Sequence, residues 1–203
     1  MIEFHCQNYL NNFTNLKVNL TYDSNRNKSI LIVDERPSLA LIQVIKNALY
    51  FFRDHNLLVG GNERVFNLIK KFIGNDFFKI KIENYRLNAI QYNNLLTDFK
   101  FWSSIKEEKI LIFQSDCLIF RSIDFDNFNH GMIGPVCQFF NEKEFIMNGG
   151  FSLRNRNLML DLSKYKKDFD QNIVEDIFFT KLIRQHYPKL LPKMSECNDF
   201  AIE

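Results

Sequence analysis

A run of four consecutive apolar residues at positions 110–113 predicts a strand that is buried on both of its faces. This run leads directly into the polar step Gln114-Ser115-Asp116. Open α/β sheets bind ligands at the carboxyl ends of central strands, and a carboxylate there needs a cation or a hydrogen-bond donor. Asp116 is therefore predicted either to bind a divalent cation that holds a diphosphate, or to be a turn residue hydrogen-bonded to its own backbone.

Strands and helices alternate through the first half of the chain. Short apolar strands are predicted at residues 29–33, 56–59 and 77–82, and a helical spacing of apolar residues follows the first two. This alternation is typical of a mostly parallel sheet with helices on both faces. The length of 203 residues fits one domain. We therefore expect a single α/β domain built on a mostly parallel mixed sheet.

The ends and the middle of the chain carry further predicted elements. Residues 1–28 are polar and rich in Asn, and alternating apolar residues at 16–22 predict one added strand there. Residues 87–104 are predicted as one helical region, and residues 198–203 as a last strand. The expected organisation is an N-terminal extension at residues 1–28 followed by the main domain at residues 29–203.

Composition argues against several classes of protein. Hydrophobic residues make up 46% of the chain, which argues against disorder. The net charge of +2, without a basic block, indicates no nucleic-acid partner. No apolar run approaches the length of a transmembrane segment. The four cysteines form no C-x-x-C pair and the amino terminus lacks a signal-peptide pattern, so we expect reduced thiols and a cytoplasmic location.

The sequence contains none of the common phosphate-binding or nucleophile motifs. The P-loop, G-x-G-x-x-G, G-x-S-x-G and H-E-x-x-H patterns are all absent. The remaining candidates are carboxylates beside apolar strands or at helix starts. Asp34, Glu35 and Arg36 follow the first predicted strand. They either bind the base, ribose or phosphates of a nucleotide, or form a local ion pair ahead of a helix.

Two more short motifs each have a functional and a structural interpretation. In Asn148-Gly149-Gly150, the glycines allow a close approach to a ligand or a positive φ, whereas Asn-Gly is also typical of a hairpin turn. Glu175 and Asp176 begin a predicted helix. One of them could act as a general base toward a sugar hydroxyl, or both could stabilise the helix N-terminus.

Taken in order, these motifs resemble a family of domains of unassigned function related to GT-A glycosyltransferases. The resemblance covers roughly residues 29–203. The motifs that carry it are Asp34-Glu35-Arg36-Pro37, Tyr92-Asn93-Asn94, Phe101-Trp102, Gln114-Ser115-Asp116, Ile133-Gly134-Pro135, Asn148-Gly149-Gly150-Phe151-Ser152-Leu153-Arg154 and Glu175-Asp176. The resemblance implies a Rossmann-like GT-A sheet in which an Asp-x-Asp motif ends a central strand and binds Mn²⁺ or Mg²⁺ with the donor diphosphate. Here Gln114 stands in place of the first acid, which leaves Asp116 as the implied metal ligand.

The resemblance also implies roles for individual residues. The donor-binding positions that it implies are Asp34, Glu35, Arg36, Gln114, Ser115, Asp116, Asn148, Gly149 and Gly150. Asp176 is the implied catalytic base, with Glu175 second, if the reaction inverts the anomeric centre. Arg36 and Arg154 are candidates to offset the charge of the leaving diphosphate.

The expected function is the transfer of a sugar from a nucleotide sugar to a hydroxyl of a glycan, lipid or protein, assisted by Mn²⁺ or Mg²⁺. A UDP- or GDP-linked donor and a sugar or polysaccharide acceptor are the expected partners. One alternative is a non-catalytic domain of the same fold that binds a nucleotide sugar or a glycan. Another is a nucleotidyltransferase, but the segment after the first strand lacks the Gly-rich, Lys-containing loop expected of that class.

Overall fold

The structure is a computed structural model. It describes residues 2–82, 87–141, 144–170 and 172–201, without the side chains of residues 2–6 and 138–141. The described residues form a single α/β domain with a mostly parallel mixed sheet of six strands flanked by helices, which confirms the predicted fold class.

The chain divides into two compact units. The first unit comprises Met1–Arg86 and Phe113–Asp124, and the second comprises Leu87–Ile112 and Phe125–Glu203. The predicted boundary at residue 28 stays a prediction, because neither unit begins there.

The first unit is built on parallel strands. β1 (Lys28–Val33) and β2 (Asn56–Gly61) consist mainly of apolar residues and are buried along nearly their whole length. They pair in register, with Ser29 opposite Asn56. β3 (Phe78–Lys81) lies parallel to β2 and buries less, because its lysines alternate with apolar residues.

The helices of the first unit are α1 (Ile2–Asn11), α2 (Leu39–Phe51) and α3 (Glu63–Phe72). Two of them begin at polar caps that follow a strand. The Leu41 N–H donates to Ser38 Oγ at 3.1 Å, and the Arg64 and Val65 N–H groups donate to Asn62 Oδ1 at 3.0 and 3.2 Å. These caps turn the chain just beyond the carboxyl ends of β1 and β2, where Asp34, Glu35 and Arg36 lie.

The segment before β1 differs from the prediction. Leu16, Val18 and Leu20 are half-buried and alternate with exposed residues, as predicted. However, residues 16–22 belong to no strand, and helix α1 precedes them. The prediction of an added strand is therefore wrong, because alternation fixes which side chains are buried but a strand also needs a partner.

The second unit begins with two short helices instead of the single helix predicted at 87–104. α4 (Ala89–Leu96) ends at Thr97, and α5 (Phe99–Ser104) begins after Asp98. The Lys100 N–H donates to the Asp98 side chain at 2.9 Å. An N-cap in the middle of a helical pattern ends one helix and starts the next.

The remaining elements of the second unit surround a buried core of apolar side chains. The strands are β4 (Lys109–Phe113), whose last residue lies in the first unit, β5 (Met132–Ile133), β6 (Val136–Asn141), β7 (Glu144–Met147) and β8 (Phe151–Asn155). The helices are α6 (Arg156–Ser163), α7 (Glu175–His186) and α8 (Met194–Phe200), with 3-10 turns at Lys164–Asp168 and Pro188–Leu190. The described part of the tail is thus helical, so the predicted strand at 198–203 is wrong there, and residues 202 and 203 lie outside the described residues.

The six strands lie in the order β3-β2-β1-β4-β8-β5, and β6 and β7 form a separate antiparallel pair. β5 runs antiparallel to β8, with Met132 opposite Arg154, which makes the larger sheet mixed. Across the described residues, none of the helices combines the length and apolar character that a bilayer crossing requires.

Candidate functional site

The loop after β1 and the turn at residues 114–117 are joined through Arg36. The Arg36 Nε and Nη2 groups donate to the two Asp34 carboxylate oxygens at 3.1 and 3.2 Å, and the Arg36 backbone N–H donates to Oδ1 at 2.8 Å. Arg36 Nη2 also donates to Ser115 Oγ at 3.3 Å. The Asp34 side chain is 5% exposed and that of Arg36 is 73% exposed. The predicted local ion pair therefore forms, and it leaves most of the Arg36 side chain exposed to solvent.

Neighbouring acids stabilise the positive charge of the Arg36 guanidinium. Its hydrogen bonds to Asp34 and the negative charge of Asp34 raise the pKa of Arg36, and the charges of Glu35 and Asp116 act in the same direction. A permanently charged, solvent-facing guanidinium is a suitable donor for a phosphate group.

Asp116 lies in a turn that the Cys117 N–H closes by donating to the Gln114 carbonyl at 3.1 Å. Its side chain is exposed, and no hydrogen bond or ion pair to a described residue engages the carboxylate. The predicted hydrogen bond of Asp116 to its own backbone is therefore not formed, although the residue does lie in a turn. Gln114 is half-buried at the start of this turn, and its backbone N–H donates to Cys117 Sγ at 3.3 Å.

Glu35 is half-buried, and its backbone carbonyl accepts a hydrogen bond from Asn62 Nδ2 at 2.9 Å. Asn62 thus caps α3 and fixes the loop after β1 at the same time. A Cβ atom on Gly61 would lie 2.9 Å from the Asp34 carbonyl oxygen. The glycine lets the end of β2 approach this loop closely, which helps to hold Asp34 and Glu35 in place.

The first unit offers a divalent cation only a sparse set of ligands. Within the described residues, no group of three or more His, Cys, Asp or Glu side chains is arranged to hold a metal ion. Asp34 is already paired with Arg36, and of the two other carboxylates in this cluster Glu35 is half-buried whereas Asp116 is exposed. One exposed carboxylate fits a Mg²⁺ or Mn²⁺ ion that keeps several waters and arrives with substrate phosphates.

In the second unit, Arg154 and Glu175 form a buried ion pair. Arg154 Nη1 and Nη2 donate to the two carboxylate oxygens of Glu175 at 2.9 Å each. The side chain of Arg154 is 0% exposed and that of Glu175 is 3% exposed. The remaining guanidinium donors are also satisfied, because Nε donates to Ser152 Oγ at 2.8 Å and Nη2 donates to the Gly149 carbonyl at 3.0 Å.

Aromatic rings cover the Arg154 guanidinium. Its central carbon lies 6.0 Å from the centre of the Trp102 ring and 5.5 Å from that of Phe179. Burial is the largest influence and lowers the pKa of Arg154, but the charge and hydrogen bonds of Glu175 more than offset it, so the pKa is raised. Arg154 therefore stays cationic in the core, where it donates to both carboxylate oxygens of Glu175.

Asp176 is the half-buried neighbour of this pair. Its Oδ1 accepts a hydrogen bond from the Gly149 N–H at 2.7 Å. Burial raises the pKa of Asp176 to about 8, helped by the charge of Glu175 and by a hydrogen bond between the two carboxyl groups, while Arg154 and the Gly149 amide oppose the shift. Near neutral pH, Asp176 can therefore both hold and release a proton.

Gly149 is needed because the chain packs tightly at this point. A Cβ atom there would overlap Glu175 Oε1, Arg154 Nη2 and Asp176 Oδ1. The φ of Gly149 is not positive. The Gly149 backbone therefore approaches the protein's own acid pair closely, and its predicted contact with a ligand stays a prediction.

Asn148-Gly149-Gly150 does not form the predicted alternative, a hairpin turn. It lies between β7 and β8, yet β7 pairs with β6 and β8 pairs with β5. The Asn148 N–H donates to the Pro135 carbonyl at 2.7 Å, and its Oδ1 accepts from the Gly150 N–H at 2.6 Å. The segment carries the chain from one sheet to the other, past Asp176.

Comparison with known proteins places the chain in a family. The profile of the family described as "Protein of unknown function (DUF5672)" matches residues 78–203, which is more than half of the chain. The chain belongs to this family. No curated protein matches its sequence.

Solved structures resemble the DUF5672 protein in fold. A mannosyltransferase, PcManGT from Pyrobaculum calidifontis in complex with GDP-Man and Mn²⁺, is 12% identical with a TM-score of 0.51, over 91% of this chain and 60% of that one. The apo-form glycosyltransferase GlyE of Streptococcus pneumoniae TIGR4 is 13% identical with a TM-score of 0.53, over 80% of this chain and 44% of that one. The chain thus spans less than two thirds of either protein. At these identities the likeness shows the GT-A type of fold.

Arg154 and Asn93, both in the second unit, have roles that the motifs did not predict. Arg154 was a candidate to face a leaving group, but it is buried against Glu175. Its position two residues after Ser152 in a strand is a signal that both side chains lie on one face. Asn93 was also missed as a cap: its Oδ1 accepts a hydrogen bond from the Glu175 N–H at 3.2 Å, where Val174 offers no side-chain cap. No local signal links residues 82 positions apart.

Proposed function

We propose that this protein is a glycosyltransferase that moves a sugar from a UDP- or GDP-linked donor to a hydroxyl of a glycan, lipid or protein. The observation that carries the proposal is Asp176, a half-buried acid with a pKa raised to about 8 and a fixed hydrogen bond from the Gly149 N–H. A general base is most effective when its pKa lies near the working pH. The fold, which is shared with glycosyltransferases, supports the same class of reaction.

In the proposed reaction, Asp176 removes the proton of the acceptor hydroxyl while its oxygen attacks the anomeric carbon. The new bond joins that oxygen to the sugar, and the bond from the sugar to the nucleoside diphosphate breaks. Glu175, which is paired with Arg154 at 2.9 Å, raises the pKa of Asp176 through its charge. The Gly149 amide fixes the orientation of the base.

Donor binding is proposed for the cluster around Arg36. The exposed guanidinium is suited to a diphosphate, and Glu35, Gln114 and Ser115 lie on the adjoining loop and turn. The free carboxylate of Asp116 would hold Mn²⁺ or Mg²⁺ together with phosphate oxygens and water. Such an ion supplies positive charge that stabilises the departing diphosphate.

Asn148 and Gly150 are proposed to contact the donor or acceptor sugar. Both residues are half-buried, and they stand on either side of Gly149, whose N–H donates to Asp176. Gly149 is proposed to act through Asp176, because its N–H is already engaged.

Donor binding is tested by thermal unfolding with UDP, GDP, CMP and their sugars, with and without Mn²⁺. A ligand that binds the native state raises the unfolding midpoint by mass action. We expect stabilisation by UDP or GDP that depends on Mn²⁺ and is lost in Asp116→Ala. Asp76→Ala removes another exposed carboxylate of the same unit and should keep the response. A midpoint that no nucleotide moves would refute the donor site.

Catalysis is tested by release or transfer of sugar from the donor identified in that screen. Asp176→Asn should reduce the rate by about 10²-fold or more, which is typical of removing a general base. Asp168→Asn, an exposed acid of the same unit, is the matched control. In the wild type, the rate should rise with pH through about 8, because Asp176 must lose its proton first. A pH-independent rate that survives in Asp176→Asn would exclude this residue as the base.

A second candidate function is non-catalytic binding of a nucleotide sugar or glycan. The observation in its favour is that Glu175, one of the two predicted acids, is 3% exposed and paired with Arg154. This candidate predicts nucleotide binding that depends on Asp116, with no turnover of any donor and no effect of Asp176→Asn on binding.

A further inference from the structure

A polar cavity of about 380 Å³ lies in the first unit, away from the carboxyl ends of its strands. Its lining includes Lys17, Arg26, Tyr50, Arg53, Asp54 and His55. Arg26 comes just before β1, and residues 53–55 come just before β2. Because β1 and β2 are parallel and in register, these residues lie at the amino ends of the strands. Asp34 and Arg36 follow the opposite, carboxyl end of β1.

Residues 16–21, which form one wall of this cavity, belong to no strand, and the chain on either side of them is fixed by side-chain hydrogen bonds. Asn56, which is fully buried, accepts a hydrogen bond from the Asp23 N–H at 3.0 Å and donates to the Asp23 carbonyl at 2.8 Å. Lys46 Nζ donates to the Thr14 carbonyl at 2.7 Å. These side chains fix the segment between α1 and β1 against β2 and α2. The cavity is therefore preformed, and its volume lies within the range of small-molecule sites.

Three cationic side chains line the cavity against one carboxylate, that of Asp54. Arg26 Nη1 donates to the Thr21 carbonyl at 2.8 Å, and Arg53 Nε donates to the Tyr50 carbonyl at 3.3 Å. The Arg53 guanidinium also lies 5.1 Å above the Tyr50 ring. Neither arginine forms an ion pair with a described residue. Each is thus anchored through one nitrogen and keeps further N–H donors for a ligand.

We propose that this cavity binds a small molecule through a phosphomonoester group. The forked donors of two arginines match the oxygens of a phosphate, and Lys17 adds a third positive charge. The whole chain has a net charge of only +2, so the excess of cations here is a local feature and not a property of the entire surface. The cavity volume of about 380 Å³ lies in the range of sites for organic ligands, so it also leaves room for an organic group beside the phosphate.

The test is isothermal titration calorimetry of the full chain at low salt with glucose 6-phosphate, inorganic phosphate and glucose. We expect heat of binding with the phosphate-bearing probes and none with glucose. A tighter response to glucose 6-phosphate than to inorganic phosphate supports an organic phosphomonoester as the ligand, whereas an equal response means that only the phosphate group is recognised and contradicts the proposed ester. Binding of glucose alone, or no binding of either phosphate probe, overturns the proposal.

Charge-changing variants make the test specific to the cavity. Arg26→Gln and Arg53→Gln should each weaken phosphate binding about tenfold, as expected for the loss of a charge-assisted hydrogen bond. Asp54→Asn should strengthen binding, because it removes the one negative charge. Arg64→Gln, an exposed arginine of α3, removes the same charge outside the cavity and should have no effect. Equal weakening by Arg64→Gln would mean that binding is non-specific. Unchanged unfolding midpoints without ligand confirm that the variants are folded.

Discussion

Replacing Arg154 by Met should destabilise the protein far more than the chemically identical change at Arg36. Both arginines contact both carboxylate oxygens of an acid, with Arg154 on Glu175 at 2.9 Å and Arg36 on Asp34 at 3.1 and 3.2 Å. They differ in burial, because the Arg154 side chain is 0% exposed and the Arg36 side chain is 73% exposed. Comparing the unfolding free energies of Arg154→Met and Arg36→Met therefore isolates the cost of removing a buried positive charge.

The expected magnitudes follow from that difference. Removing one partner of a buried ion pair leaves an uncompensated charge and costs about 3–5 kcal/mol of unfolding free energy. The Asp34–Arg36 pair has one solvent-exposed partner, and we expect it to contribute about 0–1 kcal/mol. The buried Asp34 carboxylate keeps the hydrogen bond from the backbone N–H of residue 36, and water can replace the exposed guanidinium. For a chain of this length, the first loss lowers the thermal midpoint by about 6–20 °C and the second by less than about 4 °C.

The assay is urea and thermal unfolding of both variants at pH 7, followed by circular dichroism. The double variant Arg154→Met/Glu175→Gln should be more stable than Arg154→Met alone, because it no longer buries an unpaired carboxylate. If Arg154→Met unfolds within about 1 kcal/mol of the wild type, the pair contributes no more than a surface pair, and the reasoning from burial is wrong.

Three further predictions concern the surroundings of Glu175. Gly149→Ala should cost about 1–3 kcal/mol in urea unfolding, because its Cβ overlaps Glu175 Oε1, and a variant of wild-type stability would contradict the packing. The raised pKa of Asp176, about 8 against 3.8, means that the folded state binds a proton which the unfolded state has released. The contribution of Asp176 to the free energy of unfolding should therefore be greatest below about pH 4. It should fall by up to about 1.4 kcal/mol per pH unit between about pH 4 and 8 and level off above pH 8. Urea unfolding of Asp176→Asn across this range should give a flatter profile. Asn93→Ala should cost about 1 kcal/mol by removing the hydrogen bond that caps α7, and wild-type stability of this variant would show that the cap is dispensable.

Elements specified by local interactions could be predicted from the sequence. The apolar run at 110–113 forms the buried strand β4, and the apolar runs at 29–33 and 56–59 form β1 and β2. The secondary-structure predictions were wrong where a strand needs a distant pairing partner or where a second cap begins a new helix. Residues 16–22 alternate like a strand but pair with none, and Asp98 divides the predicted helix at 87–104 because its side chain caps a new one.

The burial and the ion pairing of each candidate acid could not be predicted from the sequence. Asp34, Asp116, Glu175 and Asp176 all stand beside an apolar strand or at a helix start. The sequence offers similar reasons to regard each as a ligand or as a structural residue. The structure separates them: Asp34 and Glu175 are paired with arginines, Asp116 is exposed without a partner in the described residues, and Asp176 is half-buried.

The sequence by itself determined the α/β class, the polar step after the central strand and the positions of the acids. Only the tertiary structure decided that Arg154, 21 residues before Glu175, is buried against it, and that Gly149 brings an amide onto Asp176. The reason is physical. Local propensity and hydrophobic spacing act between neighbours in the chain, whereas the pKa of an acid depends on burial and on charges that the fold brings from elsewhere.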